Sequence, residues 1–137
     1  MMSLSRPAQY AGVMMTSHSS PHVALVDDDI DVRVGLQALL RSFGYRVSLY
    51  PDAQALLDAG VADVDCVVSD VQMPGMDGLE LLRRLRASAA GPPCILMTGF
   101  NDAHIRARAL RTGAACFMAK PIDADELAAC IAHATGS

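Results

Sequence analysis

Three aspartates, a threonine and a lysine each follow a short apolar run. Asp27 and Asp28 follow residues 22–26, Asp70 follows 66–69, Thr98 follows 94–97, and Lys120 with Pro121 follows 115–119. Gathered in one place, these side chains suit phosphoryl chemistry. Two unit charges about 4 Å apart repel by roughly 4 kcal/mol at an effective dielectric of 20. Asp27, Asp28 and Asp70 therefore need a cation or raised pKa values if they are to sit together. An all-oxygen set with few carboxylates and room for a phosphate suits Mg²⁺, which would also neutralise an incoming phosphoryl group. A carboxylate can then act as nucleophile and form an aspartyl phosphate. Asp70, alone at its run's end and facing the pair, is the candidate acceptor. Thr98 offers a hydroxyl donor and Lys120 a positive charge to the same group. The Lys120–Pro121 bond is a candidate cis peptide, because only X-Pro bonds adopt cis at low cost.

Bringing these groups together requires a particular scaffold. Apolar runs of this length bounded by turn signals read as buried strands of a parallel sheet. In such open sheets the ligand site lies outside the carboxyl ends of the strands. Between the runs, Val32, Leu36, Leu39, Leu40 and Phe43 fall at helical spacing before Gly44, and Tyr45, Val47 and Leu49 alternate as in a strand. Pro51 and Asp52 open a short helix ending at Gly60. Leu79, Leu82 and Leu85 mark a third helix ended by Gly91, Pro92 and Pro93, and a fourth runs from about Asp102 to Thr112. A last helix opens with Asp123 and Glu126 at capping-box spacing and turns Leu127 and Ile131 inward. Five alternations of strand and helix predict a doubly wound α/β sandwich with helices on both faces.

The chain has 137 residues, a hydrophobic share of 52% and a net charge of −4, which fits one domain with a core of small aliphatic side chains. Residues 1–20 show no lasting period and are expected to be a flexible extension, with residues 21–137 the domain; Met14 and Met15 are alternative starts. The acidity favours neither nucleic acid nor an anionic membrane. No signal peptide or membrane span is legible, and a cytoplasmic location is expected. Cys66, Cys94, Cys116 and Cys130 form no CxxC pair and read as small buried apolar residues. His18, His22, His104 and His133 lack ligand spacing, and counting from Asp27 no calcium loop fits.

The motifs Val-Asp-Asp-Asp at 26–29, Asp-Val-Gln-Met-Pro-Gly-Met-Asp-Gly at 70–78, Met-Thr-Gly at 97–99 and Lys-Pro at 120–121 are ordered and spaced as in a known family. Over about residues 21–135 the chain resembles the CheY-like receiver domain of two-component response regulators. The resemblance implies a flavodoxin-like (βα)₅ fold with strand order 2-1-3-4-5. It implies that Asp70 accepts a phosphoryl group from a sensor histidine kinase or histidine phosphotransfer protein. Asp28, Asp70 and the Gln72 backbone carbonyl would bind Mg²⁺, with Asp27 acting mainly through water on the ion. Thr98 would move toward the acyl phosphate, Lys120 would pair with it, and Phe117 would turn inward. That shift would reset the face formed by the fourth helix, fifth strand and fifth helix and so control a downstream protein. The first helix is the expected kinase surface.

Two departures stand out. Phe100 is bulky where many relatives carry a smaller or polar residue, and is expected to obstruct the water that removes the phosphate; with Gln72 it would set the phosphoryl lifetime. Ile122 replaces a frequent Phe. Because the chain ends just past the last helix, a stand-alone receiver is expected, monomeric or dimerising on phosphorylation, and not an enzyme beyond its own phosphorylation and dephosphorylation. An alternative is a receiver-like adaptor that works without phosphorylation, against which the intact set of five side chains argues. A small aspartate-nucleophile phosphatase would need an Asp where Gln72 stands. Arg106, Arg108 and Arg111 read as a solvated face or a partner or dimer surface.

Overall fold

The computed structural model describes residues 20–100 and 102–136. The expected extension over residues 1–20, with both candidate starts, lies outside the described residues except for Ser20. The elements alternate: β1 (His22–Val26), α1 (Ile30–Ser42), β2 (Arg46–Tyr50), α2 (Ala53–Ala59), β3 (Cys66–Asp70), α3 (Gly78–Ala87), β4 (Cys94–Thr98), α4 (Ala103–Thr112), β5 (Cys116–Ala119) and α5 (Ala124–Thr135).

All strand pairs are parallel and the sheet runs β2-β1-β3-β4-β5, the flavodoxin-like order. The three inner strands β1, β3 and β4 are buried along their whole length, which is why they read as continuous apolar runs. The edge strands β2 and β5 are only partly covered. Alternate strand residues feed two cores. Val23, Leu25, Val68 and Ile95 meet Leu36 and Leu40 of α1 and Leu127 and Ile131 of α5. Ala24, Val26, Val67 and Leu96 meet Leu56 of α2, Leu79, Leu82 and Leu85 of α3, and Ala109 of α4.

Each of the five helices starts on an aspartate, namely Asp29, Asp52, Asp77, Asp102 and Asp123, whose carboxylate accepts from a backbone N–H of the first turn. Such caps stabilise a helix by about 0.5–2 kcal/mol each. Asp123 accepts from the Glu126 N–H at 2.8 Å, the forward half of the expected capping box.

The differences from the sequence reading are local. Phe43 does not join the core: it is the C-cap of α1, where the chain leaves the helical path, and it is exposed. α3 stops at Ala87, before Gly91, and β5 begins at Cys116, one residue later than expected. Cys66 and Cys94 are buried, and burial pushes both thiols up to about 12, as suits inert packing residues. Cys116, on the edge strand β5, and Cys130, on α5, are only half-buried. No described helix is long and apolar enough to cross a membrane.

Candidate functional site

The strand order reverses between β1 and β3. From β1 the chain steps outward to β2, then returns past β1 to build β3, β4 and β5 on the other side. The crossovers at this point diverge and leave a crevice beyond the carboxyl ends of the strands. Asp27 and Asp28 follow β1, and Asp70 ends β3. One carboxylate oxygen from each of the three lies within 4.8 Å of the others. Asp27 is fully buried, Asp70 is 6% exposed, and Asp28 opens to solvent.

Lys120 reaches in from the end of β5. Its Nζ lies 3.0 Å from Asp27 Oδ2 and 3.3 Å from Asp70 Oδ2, so one ammonium bridges two buried carboxylates. The Lys120–Pro121 peptide is cis. Asp27 is further held by the Asp29 N–H on its Oδ1 at 2.9 Å, and the Arg33 guanidinium grips its backbone carbonyl. Burial is the largest influence on the Asp70 carboxyl and raises it; Lys120 pulls it down, Asp27 pushes it up again, and the net shift is upward. Burial alone would lower the Lys120 ammonium, but the bond to Asp27 and the charge of Asp70 outweigh it and the net shift is upward.

One lysine does not complete this cluster. Asp70 Oδ1 is buried and has no hydrogen-bond partner among the described residues. An orphaned carboxylate oxygen beside two further carboxylates marks a place for a hard cation. Mg²⁺ fits this donor set: Asp27, Asp28 and Asp70 each offer a carboxylate oxygen within 4.8 Å of the others.

Thr98, fully buried at the end of β4, accepts from the Phe100 N–H at 2.9 Å and donates to Gln72 Oε1 at 2.7 Å; the Phe100 carbonyl is 3.1 Å away. Gln72 thus meets Thr98 by its side chain, a contact between residues 26 apart that no local pattern signals. Phe100 is 62% exposed. Phe117 is already buried, packed in the core cluster of α2, α3 and α4. The Arg106 guanidinium lies 5.9 Å from its ring centroid and Nη1 donates to its backbone carbonyl at 3.4 Å. Arg106 is therefore not simply part of a solvated face, although its spacing on α4 reads that way.

The motif at 70–78 ends in a glycine whose packing role is purely spatial and has no signal in the sequence. Gly78, at the start of α3, donates to the Val71 carbonyl at 2.9 Å, and a Cβ there would meet the Asp70 carbonyl oxygen at 2.3 Å. The helix start is packed against the backbone that carries Asp70.

The family described as response regulator receiver domain matches residues 23–132. The transcriptional regulatory protein FixJ of Bradyrhizobium diazoefficiens is 45% identical over 115 residues, which cover 82% of this chain and 56% of that protein. The C4-dicarboxylate transport transcriptional regulatory protein DctD of Rhizobium meliloti is 42% identical over 110 residues, covering 80% of this chain and 24% of that one. Among solved structures, full-length FixJ from B. japonicum superposes with a TM-score of 0.77 at 43% identity, over 85% of this chain and 58% of that chain. Vibrio cholerae chemotaxis protein CheY4 does so with a TM-score of 0.74 at 27% identity, over 84% and 98%. The chain spans about half the length of the FixJ relatives and about a quarter of DctD.

Proposed function

The chain belongs to the response regulator receiver family, and from that premise we propose that it is switched by a phosphoryl group which Asp70 accepts from a histidine kinase or phosphotransfer protein, with Mg²⁺ bound. The observation that carries this reading is the convergence of Asp27, Asp28 and Asp70 around the unpartnered Asp70 Oδ1, with Lys120 bridging from the opposite strand. When bound, Mg²⁺ supplies positive charge that offsets the phosphoryl oxygens and the carboxylates together.

The residues divide the remaining work. The ionised Asp70 carboxylate forms the new O–P bond as the donor's P–N bond breaks, and the electron pair leaves with the imidazole nitrogen. The Lys120 ammonium already touches Asp70, so it is placed to pair with the transferred group. The Thr98 hydroxyl donates a hydrogen bond to a phosphoryl oxygen, and Lys120 carries the change along β5, past the already buried Phe117, to the α4-β5-α5 face, where a downstream protein reads it. The donor approaches over α1. There a hollow of about 350 Å³ is lined by Asp31, Val32, Leu36, Lys120, Pro121 and Ile122, beside the exposed Ile30 and Val34.

Metal binding is tested without any phosphoryl chemistry. At a hundredfold excess over its Kd, Mg²⁺ is expected to stabilise the folded chain by about 2.7 kcal/mol. Asp70→Asn is expected to be more stable than the natural chain without metal, and to lose most of the metal effect. The sign follows from the raised Asp70 carboxyl: it binds its proton more tightly folded than unfolded, so the stability it contributes is present at acid pH and lost as pH rises through its folded pKa. Thermal melts with and without Mg²⁺ check both halves, and an equal metal shift in the two proteins would count against the site.

Phe100 is proposed to shield the acyl phosphate, since its backbone is tied to Thr98 while its ring stands free at the rim. Phe100→Ala is expected to shorten the phosphoryl half-life severalfold in a decay assay of the purified phosphorylated chain. An unchanged half-life removes that role.

A further inference from the structure

The Thr98 hydroxyl has one proton to give, and in the resting chain it gives it elsewhere than to the Asp70 site. The oxygen is fixed from one side by the Phe100 N–H, 2.9 Å away. Of the two acceptors in reach among the described residues, Gln72 Oε1 at 2.7 Å is nearer than the Phe100 carbonyl at 3.1 Å. The buried Asp70 Oδ1 has no hydrogen-bond partner among the described residues. The amide holds the shorter contact although Gln72 is exposed, on a loop, and two residues along the chain from the carboxylate. Thr98 itself is fully buried, so its hydroxyl cannot leave Gln72 for water; it leaves only for another acceptor within the site.

We propose that Gln72 is a positioning residue for the switch: its side-chain carbonyl competes with the phosphoryl group for the Thr98 hydroxyl and holds the resting chain in its unswitched state. The inference rests on the reading that Asp70 is phosphorylated and Thr98 follows. It differs from the lifetime role, because it concerns what Thr98 must give up before the phosphoryl group is bound. Each phosphorylation exchanges the Thr98–Gln72 bond for a Thr98–phosphoryl bond, and the affinity of the site is lowered by the strength of the bond surrendered.

The test is a titration of the full chain with beryllofluoride, a phosphoryl mimic, at saturating Mg²⁺, read by ¹⁹F resonance. The chains compared are the natural protein, Gln72→Met, Thr98→Ala and the double variant. Methionine keeps the length of glutamine and lacks the acceptor. Gln72 also borders a hollow of about 570 Å³ with Met73, Pro74, Asp77 and Arg108, which leaves the new side chain room. Gln72→Met is expected to bind the mimic about fivefold more tightly, the factor set by a net hydrogen bond of ordinary strength. With Thr98→Ala as background the same change is expected to have no effect, because the amide then holds nothing. Equal affinity in the natural chain and Gln72→Met, or a gain that persists without the Thr98 hydroxyl, overturns the proposal while leaving Asp70 phosphorylation standing. A natural chain that binds no mimic overturns the phosphoryl reading and this inference with it.

Discussion

Gly78→Ala is expected to cost the fold about 3 kcal/mol and to weaken the acidic site as it does so. A Cβ at this position would lie 2.3 Å from the Asp70 carbonyl oxygen, 2.9 Å from Val71 Cα and 3.1 Å from the Asp70 carbonyl carbon. All three are backbone atoms at the end of a central strand, so none can turn aside as a flexible side chain would. The helix start cannot retreat either. The Gly78 N–H is bonded to the Val71 carbonyl, the Asp77 cap holds the Glu80 N–H at 2.8 Å, and Leu79 and Leu82 are packed in the core. Overpacking of this kind costs about 1–3 kcal/mol and occasionally more, and the rigidity of every neighbour puts Gly78 at the upper end. Gly35→Ala is the contrasting control. It sits within α1 with nothing inside 4 Å of a new Cβ, so it is expected to stabilise by about 0.5–1 kcal/mol. Urea melts of the two variants separate the readings, and a Gly78→Ala chain as stable as the natural one would mean that α3 does not press on Asp70.

Lys120→Met is expected to pull metal affinity and phosphorylation in opposite directions. The ammonium is the one cation within reach of Asp27 and Asp70 among the ion pairs of the described residues. Without it the fully buried Asp27 carboxylate loses its counterion, and breaking a buried pair in this way costs about 3–5 kcal/mol. The lower end applies here, because the Lys120 side chain is 23% exposed and water can partly replace it. Added Mg²⁺ is expected to recover most of that loss, and to bind about tenfold more tightly or better, since a repelling charge has gone from beside it. Phosphorylation by a small donor is nonetheless expected to fall by about tenfold or more, because the transferred group loses the ammonium that would pair with it. Calorimetric Mg²⁺ titration and a phosphorylation time course check the two signs independently. Unchanged metal affinity would contradict the bridging role of Lys120.

The fold was legible because its sheet is parallel and buried on both faces. That burial forces β1, β3 and β4 to be apolar throughout, so each strand announces itself and its carboxyl end together, and Asp27, Asp70 and Thr98 stand at those ends. β2 reads by alternation because it is an edge strand. The helix starts at Asp29, Asp52, Asp102 and Asp123 could be read from their cap residues. Helical periodicity failed at Phe43, since it assumes that the helix continues; the chain turns off there and the ring faces water. The half-burial of Cys116 follows from β5 being an edge, which depends on strand order rather than on the strand's own residues. Gly78 against Asp70, Gln72 against Thr98 and Arg106 over Phe117 are contacts between side chains or backbone from separate elements. Motifs name the residues that meet a phosphoryl group; they do not name the ones that hold those residues at rest.

The resting arrangement also bears on how the switch moves. Phe117 is buried here while Thr98 is still bonded to Gln72. An inward aromatic therefore does not require a displaced threonine in this chain. The Arg106 guanidinium, above the ring and on the Phe117 carbonyl, accounts for that placement: it covers the ring face and ties α4 to β5.

Whether Asp70 is the acceptor of a metal-dependent phosphoryl transfer is decided by intact mass after incubation with Mg²⁺ and acetyl phosphate, beside Asp70→Asn. A single phosphoryl adduct is expected on the natural chain, absent from Asp70→Asn and absent when EDTA is added first. An adduct of the same mass and yield on Asp70→Asn, or one formed equally well in EDTA, would contradict that assignment.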